Sequence, residues 1–340
     1  MGLDKSSGIV IGKLKKGEKN LITDVNGVKV GHVTLNDGDI KTGVTAILPH
    51  GGNIFKEKVM AASCVLNGFG KSMGMVQIDE LGTIETPIIM TNTLSIGAAA
   101  TGLIKYMLKQ NEDIGNKAGT VNCVITECND GPLNDIRGLH VKEEHIVEAI
   151  ENASEVFEEG AVGSGTGMTC LGLKGGIGSS SRIVELDNKE YTIGAIVMSN
   201  FGSKGNLILA GQNLGEKIFK IQENEKEQGS IIIVIATDIP LNERQLKRVA
   251  RRTSIGIGKT GSYMGNGSGD ICIAFTTANN LKHYSEVDII ETKMVYDEKL
   301  DMVFRGAIES VEEAVISSLY HAETTVGING NVAKGLREYL

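Results

Sequence analysis

Residues 225–238, EKEQGSIIIVIATD, change character at one peptide bond. Before it lies a charged stretch ending in Gly229, which reads as a deformable loop. After it a single hydroxyl, Ser230, leads straight into Ile231 to Ala236, an apolar run of strongly strand-forming or small residues. A run that is apolar on both faces predicts a strand covered on both sides rather than one washed by solvent. A lone serine where a deformable loop meets a rigid strand calls for a chemical reason.

A serine hydroxyl is a weak nucleophile without a base. The chain has 6 His, but none stands in a recognisable nucleophile motif, and no GxSxG occurs. A free α-amine on the serine itself would supply a base that titrates near neutrality and reaches its own hydroxyl. Breaking the Gly229–Ser230 bond creates that amine. The Ser230 hydroxyl attacks the preceding carbonyl and forms an ester, which water hydrolyses. Gly229 leaves the carbonyl unobstructed and tolerates strained dihedrals. The loop is expected to move away after cleavage, while the strand holds the new terminus rigid. The plainer alternative is a Gly-Ser pair that merely ends a loop ahead of a core strand.

Outward from this bond, strands are expected at 44–49, 86–92, 121–127, 191–199, 230–237 and 270–278. Helices are expected at 95–110, 143–153, 242–253 and 304–323. The third helix opens on Asn242-Glu-Arg-Gln245, a variant of the capping box. The last carries Ala307, Ile308, Val311, Ala314, Val315 and Leu319 on one stripe and Glu309, Glu312 and Glu313 off it, so its acidic face is expected in water. Residues 1–20 are lysine-rich and read as a mobile or extended N-terminal arm. No Pro/Ser-rich linker divides the remainder, so residues 21–340 are expected to form one domain.

The bulk numbers exclude several classes of function. With 41% hydrophobic and 22% charged residues, the 340-residue chain is globular. Gly fills 44 positions without a G-X-Y period, which points to tight turns and close backbone approaches. A net charge of −8, aromatics at 4% and the absence of Trp argue against nucleic-acid partners. No apolar run is long enough to span a membrane, and the first twenty residues are too polar for a signal peptide. MGLDKS fits the short myristoylation pattern, which chance readily produces. Five cysteines without a CxxC pair indicate a reducing compartment, so the default localisation is cytoplasmic.

Three further features have bland explanations. GSGTGMTCLG (163–172) lacks the GK[ST] of a phosphate loop and reads as a wall of a substrate pocket or an intersubunit turn. Lys247, Arg248, Arg251 and Arg252 read as a solvated helix face or an interface with the acidic final helix. His32 and His50 lack partners at metal-ligand spacing and read as hydrogen-bonded structural histidines. No metal or organic cofactor is expected.

Longer stretches share order and spacing with a known family. They are ITDVNGVKVGH (22–32), TGVTAILPHGG (42–52), NGFGKSMGMVQIDELGTIETPIIMTNTLSIG (67–97) and NDGPLNDIRG (129–138). GAVGSGTGMTCLGLKGGIGSSSR (160–182), MSNFG (198–202), GSIIIVIATD (229–238) and GNGSGDICIAF (265–275) continue the series. From about residue 21 to 335 the chain resembles the DmpA-type family of L-aminopeptidase/D-amidase-esterases and β-peptidyl aminopeptidases.

The resemblance implies a mixed α/β (α+β) fold, a four-layer αββα sandwich of the DmpA/ornithine acetyltransferase type. It also implies self-cleavage into residues 1–229 and 230–340, assembly as a homotetramer of such pairs, and Ser230 as nucleophile. Ser268 and Asp270, in GNGSGD, fall where the family has a serine and an acidic residue, often Glu, beside the nucleophile. Asn200, in MSNFG, matches the family's oxyanion-hole asparagine. Glu127 matches an acidic residue near the substrate's amine. Asn129 stands where the family has a tyrosine donor, a departure that bears on substrate range. The implied activity is removal of N-terminal residues from short peptides, amides or esters. Alternatives on the same scaffold are hydrolysis of ω-amino-acid oligomers, acyl transfer between amino acids, or an uncleaved, non-catalytic oligomeric binding protein.

Overall fold

The computed structural model describes residues 2, 3, 7–219 and 227–340. In chain order its main elements are β1 (Lys29–Asp37), β2 (Ile40–Leu48), β3 (Glu57–Gly68), α1 (Met75–Leu81), β4 (Thr83–Ile84), β5 (Ile88–Asn92), α2 (Ile96–Gln110), β6 (Val124–Cys128) and α3 (Glu143–Glu151). They continue with β7 (Gly176–Leu186), β8 (Lys189–Asn200), β9 (Gln228–Thr237), α4 (Glu243–Lys259), β10 (Gly267–Lys282) and α5 (Asp301–His321). A four-stranded sheet runs β1-β2-β5-β6 and a six-stranded sheet runs β4-β3-β10-β9-β8-β7. Pairing is antiparallel except for β5 with β6 and β9 with β10.

Strand β9 shows why the layers stack. Its alternate side chains leave the strand on opposite faces. Ile232, Val234 and Ala236 join a core that continues through the four-stranded sheet to Leu103 of α2 and Ile146 of α3. Ile231, Ile233 and Ile235 join a second core with Val249 of α4 and Val311 and Val315 of α5. The result is the αββα sandwich. The five residues Ile231 to Ile235 are essentially fully buried. They contribute on the order of 10 kcal/mol of gross transfer free energy, which holds the strand behind Ser230 rigid.

All the expected strands and helices appear, with α4 extending to Lys259. Its capping box forms: Asn242 Oδ1 accepts from the Gln245 N–H at 2.9 Å, and Gln245 Oε1 accepts from the Asn242 N–H at 3.4 Å. The basic run on α4 reaches towards α5, with the Arg252 guanidinium 3.5 Å from the Phe304 ring centroid. Strands β1, β3 and β7 and helix α1 were not anticipated. Strand β7 is Gly- and Ser-rich because α5 crosses it closely: a Cβ on Gly178 would lie 2.0 Å from the Ala314 carbonyl oxygen.

Two expectations are corrected. The acidic side of α5 is not in water, because Glu309, Glu312 and Glu313 are all buried. Fully buried Arg182 of β7 donates to Glu313 Oε2 at 2.6 Å and to Glu309 Oε2 at 3.3 Å. Lys259 pairs with Glu312. Nor is the described part of the N-terminal arm free. The Lys13 and Leu14 N–H groups each donate to Glu309 Oε2 at 2.9 Å, Lys16 pairs with Glu313, and Ile11 is buried. The arm is an extended strap that satisfies the carboxylates of α5. Residues 220–226 of the charged loop lie outside the described residues. Among the described residues no helix is long and apolar enough to cross a membrane.

Candidate active site

The site forms where β9 begins. Ser230 lies opposite Asn200 of β8 on one side and Gly269 of β10 on the other. Its side chain shares the face of Ile232 and Val234, which looks towards the four-stranded sheet. There Glu127 stands one residue before the end of β6, and a cavity of about 240 Å³ opens between the layers. Phe69, Lys71, Thr93, Glu127, Asn129, Gln228, Gly229, Ser230 and Gly267 line it.

The Gly229–Ser230 linkage has an unusual local geometry. Gly229 adopts φ +117, a region closed to residues with a Cβ. Ser230 is 5% exposed, and its Oγ donates to the Gly229 carbonyl oxygen at 2.5 Å. The hydroxyl therefore rests against the carbonyl group it would have to attack. On the other side, a Cβ on Gly269 would lie 3.0 Å from Ser230 Oγ. Glycine on both flanks leaves the Ser230 hydroxyl room.

The described end of the chain before this bond is held in place. Glu227 is buried. Its carboxylate accepts from Ser262 Oγ and from the Tyr263 N–H at 2.9 Å, while its own N–H donates to the Tyr263 hydroxyl at 2.7 Å. Gln228 and Gly229 already pair with β10. The end of the loop is thus clamped to the turn that leads into Ser268.

Ser268 and Asp270 are both buried, and Ser268 Oγ donates to Asp270 Oδ1 at 2.7 Å. They lie in register with Gly229 and Ile231, one strand over from Ser230. In the uncut chain they hydrogen-bond each other and not Ser230. Asp270 Oδ2 is buried without a hydrogen-bond partner among the described residues. Burial pushes the Asp270 carboxyl up to about 6, against the pull of the Ser268 hydroxyl. Asn67 steadies this turn by donating to the Gly265 carbonyl at 3.0 Å and to the Ser268 carbonyl.

Asn200 is held at both ends of its amide. Its Oδ1 accepts from the Thr169 N–H at 3.0 Å, and its Nδ2 donates to the Asn129 carbonyl at 3.0 Å. The second N–H of Nδ2 remains for another acceptor. Asn129 enters the cavity wall, but its side-chain oxygen is engaged by the Gly131 N–H at 3.0 Å, an Asx turn.

Glu127 is a buried carboxylate facing the cavity, 4% exposed. Oε1 accepts from the Lys71 N–H at 2.8 Å, and Oε2 accepts from Thr93 Oγ1. Among the described residues no Lys, Arg or His side chain pairs with it. A buried carboxylate with neutral donors and no cation leaves a strong preference for an incoming positive charge.

Thr93, Lys71, Glu227 and Thr169 were not singled out from sequence. Thr93 and Lys71 lie inside the 67–97 stretch, so their neighbourhood was flagged. Thr169 contributes a backbone N–H, for which a sequence carries no side-chain signal. The Gly-rich segment 163–172 does not line the cavity; it packs behind Asn200. His32 is a structural histidine, its Nδ1 2.9 Å from Thr45 Oγ1, and burial lowers it to about 4. His50 likewise bonds the Glu57 carbonyl oxygen at 2.8 Å.

With this geometry in hand, comparison with known proteins is informative. Residues 20–333 match the model of peptidase family S58. The chain is 38% identical over 341 residues to the beta-peptidyl aminopeptidase BapA of Sphingosinicella microcystinivorans, covering 93% of this chain and 85% of that protein. The crystal structure of the PH0078 protein from Pyrococcus horikoshii OT3 superposes with a TM-score of 0.94 at 54% identity, covering 99% of this chain and 96% of that one. The L-aminopeptidase D-Ala-esterase/amidase of Ochrobactrum anthropi, described as a prototype for the serine aminopeptidases and a variant of the Ntn hydrolase fold, gives a TM-score of 0.91 at 37% identity. It covers 98% of this chain and 94% of its own.

Proposed function

The chain belongs to peptidase family S58, the DmpA-type serine aminopeptidases, and from that premise we propose that it cuts its own Gly229–Ser230 bond. It then removes N-terminal residues from short peptides, amides or esters through an acyl-enzyme on Ser230. The observation that carries this is Ser230 Oγ resting 2.5 Å from the Gly229 carbonyl oxygen while Gly229 holds φ +117.

In the first step Oγ adds to the Gly229 carbonyl carbon. The C–N bond breaks, the nitrogen takes the hydroxyl proton, and an ester remains. Water cleaves that ester, leaving a Gly229 carboxylate on residues 1–229 and a free amine and hydroxyl on Ser230. In turnover the Ser230 amine accepts the proton of Oγ as Oγ attacks the substrate carbonyl. It returns that proton to the departing amine or alkoxide, and water releases the acyl group. The second N–H of Asn200 Nδ2 stabilises the oxyanion. Ser268 and Asp270 orient the new Ser230 amine, for which Asp270 Oδ2 has spare acceptor capacity. Glu127 receives the substrate's ammonium and so restricts the enzyme to unblocked N termini.

The likeness to β-peptidyl aminopeptidases supports including β-amino acids among the N-terminal residues accepted. Residues 21–340 act as one domain made of two chains, and four such pairs assemble. All five cysteines are free thiols, which supports a cytoplasmic home. Ser230→Ala tests the whole scheme. The variant is expected to stay a single chain with no turnover of alanyl or β-alanyl p-nitroanilide; processing or turnover by it contradicts Ser230 as nucleophile.

A further inference from the structure

Lys174 is fully buried, yet among the described residues no carboxylate hydrogen-bonds it. Its ammonium donates to three backbone carbonyls: Gly165 at 3.0 Å, Met168 at 2.8 Å and Gly175 at 2.7 Å. Burying an ammonium costs several kcal/mol, and an apolar side chain fills space with less penalty. What the lysine supplies is three donors at a point where three carbonyls converge.

Those carbonyls belong to the turn that holds Asn200. Lys174 lies directly opposite Thr169 in a short hairpin, Thr169–Cys170 paired with Leu173–Lys174. The Thr169 N–H, which follows the Met168 carbonyl, is the group that fixes Asn200 Oδ1. The hairpin reverses through Leu171 at φ 52 and Gly172 at φ 82, a tight two-residue turn that places Leu171 in the left-handed region a side chain disfavours. The other end of the Asn200 amide is held by the Asn129 carbonyl, whose neighbour Asp130 is buried and bonded to Asn134. The two loops meet: a Cβ on Gly167 would lie 2.9 Å from the Asp130 Cβ.

We propose that Lys174 is a positioning residue for the reaction. By tying the carbonyls of Gly165, Met168 and Gly175 together it keeps the Thr169 N–H on Asn200 Oδ1, and so aims Asn200 Nδ2 at the developing oxyanion. The inference rests on Asn200 being the oxyanion donor. Burial lowers Lys174 to about 7, partly opposed by Asp130 and Cys170, its titratable neighbours, so its hold on the turn changes character near neutrality. A neutral amine has one fewer N–H, and of the three carbonyls those of Gly165 and Met168 also accept from the Met168 and Gly175 N–H groups, at 3.2 and 2.9 Å.

The test is a double-mutant cycle. Self-cleavage and turnover of alanyl p-nitroanilide are measured for wild type, Lys174→Met, Lys174→Gln, Asn200→Ala and Lys174→Met with Asn200→Ala, with circular dichroism to confirm folding. Lys174→Met is expected to lower kcat roughly 10- to 100-fold with KM within about twofold, and Lys174→Gln, which keeps a donor, to restore part of the loss. The double variant is expected to be no slower than Asn200→Ala alone. Where cleavage stalls, its first-order rate gives the same comparison. Independent, multiplicative losses, a rise in KM at unchanged kcat, wild-type kcat in Lys174→Met, or failure of both Lys174 variants to fold overturns the proposal. A wild-type kcat in Asn200→Ala instead removes Asn200 from the oxyanion site, a separate and recognisable failure.

Discussion

The α-carbon of Gly229 lies against the main-chain oxygen of Asn200 so closely that a Cβ there would sit 2.0 Å from it. The residue on one side of the bond proposed to be cut is therefore fixed by β8, the strand that bears Asn200. Gly229→Ala meets both that oxygen and the φ of +117. Self-cleavage is expected to slow at least tenfold, roughly the effect of 1.4 kcal/mol of added strain in reaching the reactive geometry. A time course on denaturing gels measures it.

Glu127 predicts selectivity. Glu127→Gln keeps both neutral donors but removes the charge proposed to pair with a substrate ammonium. A charge-assisted hydrogen bond of about 1.5–3 kcal/mol corresponds to a 10- to 100-fold rise in KM for free-amine substrates. N-acetylated substrates are expected to be inert with either enzyme, and steady-state kinetics on the matched pair decides it.

Asp270 sets a pH dependence. Burial raises its carboxyl to about 6, with the Glu227 carboxylate adding to the effect, so folding favours the protonated form. Ionisation is a cost that is absent below its unfolded value and fully present once pH exceeds about 6. Asp270→Asn is thus expected to melt a few degrees higher than wild type at pH 8 and little differently at pH 4. Wild-type self-cleavage is expected to rise through pH 6 as Asp270 ionises, and the variant is expected to lack that rise. Parallel melting curves and cleavage rates from pH 4 to 8 test both signs.

Glu227 separates processing from turnover. Clamped by Ser262 and Tyr263, it fixes the residues just before the Gly229–Ser230 bond. Glu227→Gln is expected to slow self-cleavage roughly tenfold, in line with the ~1.5–3 kcal/mol of a hydrogen bond to a charged group. Once cut, the variant should turn over substrate within about twofold of wild type. An equal loss in both rates contradicts a role confined to processing.

What was legible in the sequence follows from where its signals live. Strands β9 and β10 were read because their apolar runs cover both faces. Strand β7 was not, because its buried residues are Gly and Ser, chosen for the close passage of α5 rather than for hydrophobicity. Helix α5 was placed, but its Glu309 and Glu313 were assigned to water, since their partners Arg182 and the 13–16 strap come from distant parts of the chain. At the site, Ser230, Asn200, Ser268, Asp270, Glu127 and Asn129 stand in motifs and could be named in advance. Thr169 and Lys174 work through main-chain hydrogen bonds, and Glu227 through a side chain and an N–H from a turn some 35 residues on. No spacing rule encodes such contacts.

In the proposed mechanism one residue presents both hydroxyl and amine, released by a single cut in the chain. Intact-mass measurement of fully active protein under denaturing conditions tests it directly. Two polypeptides are expected, one ending at Gly229 and the other beginning at Ser230. Full activity from one unbroken 340-residue chain would contradict it.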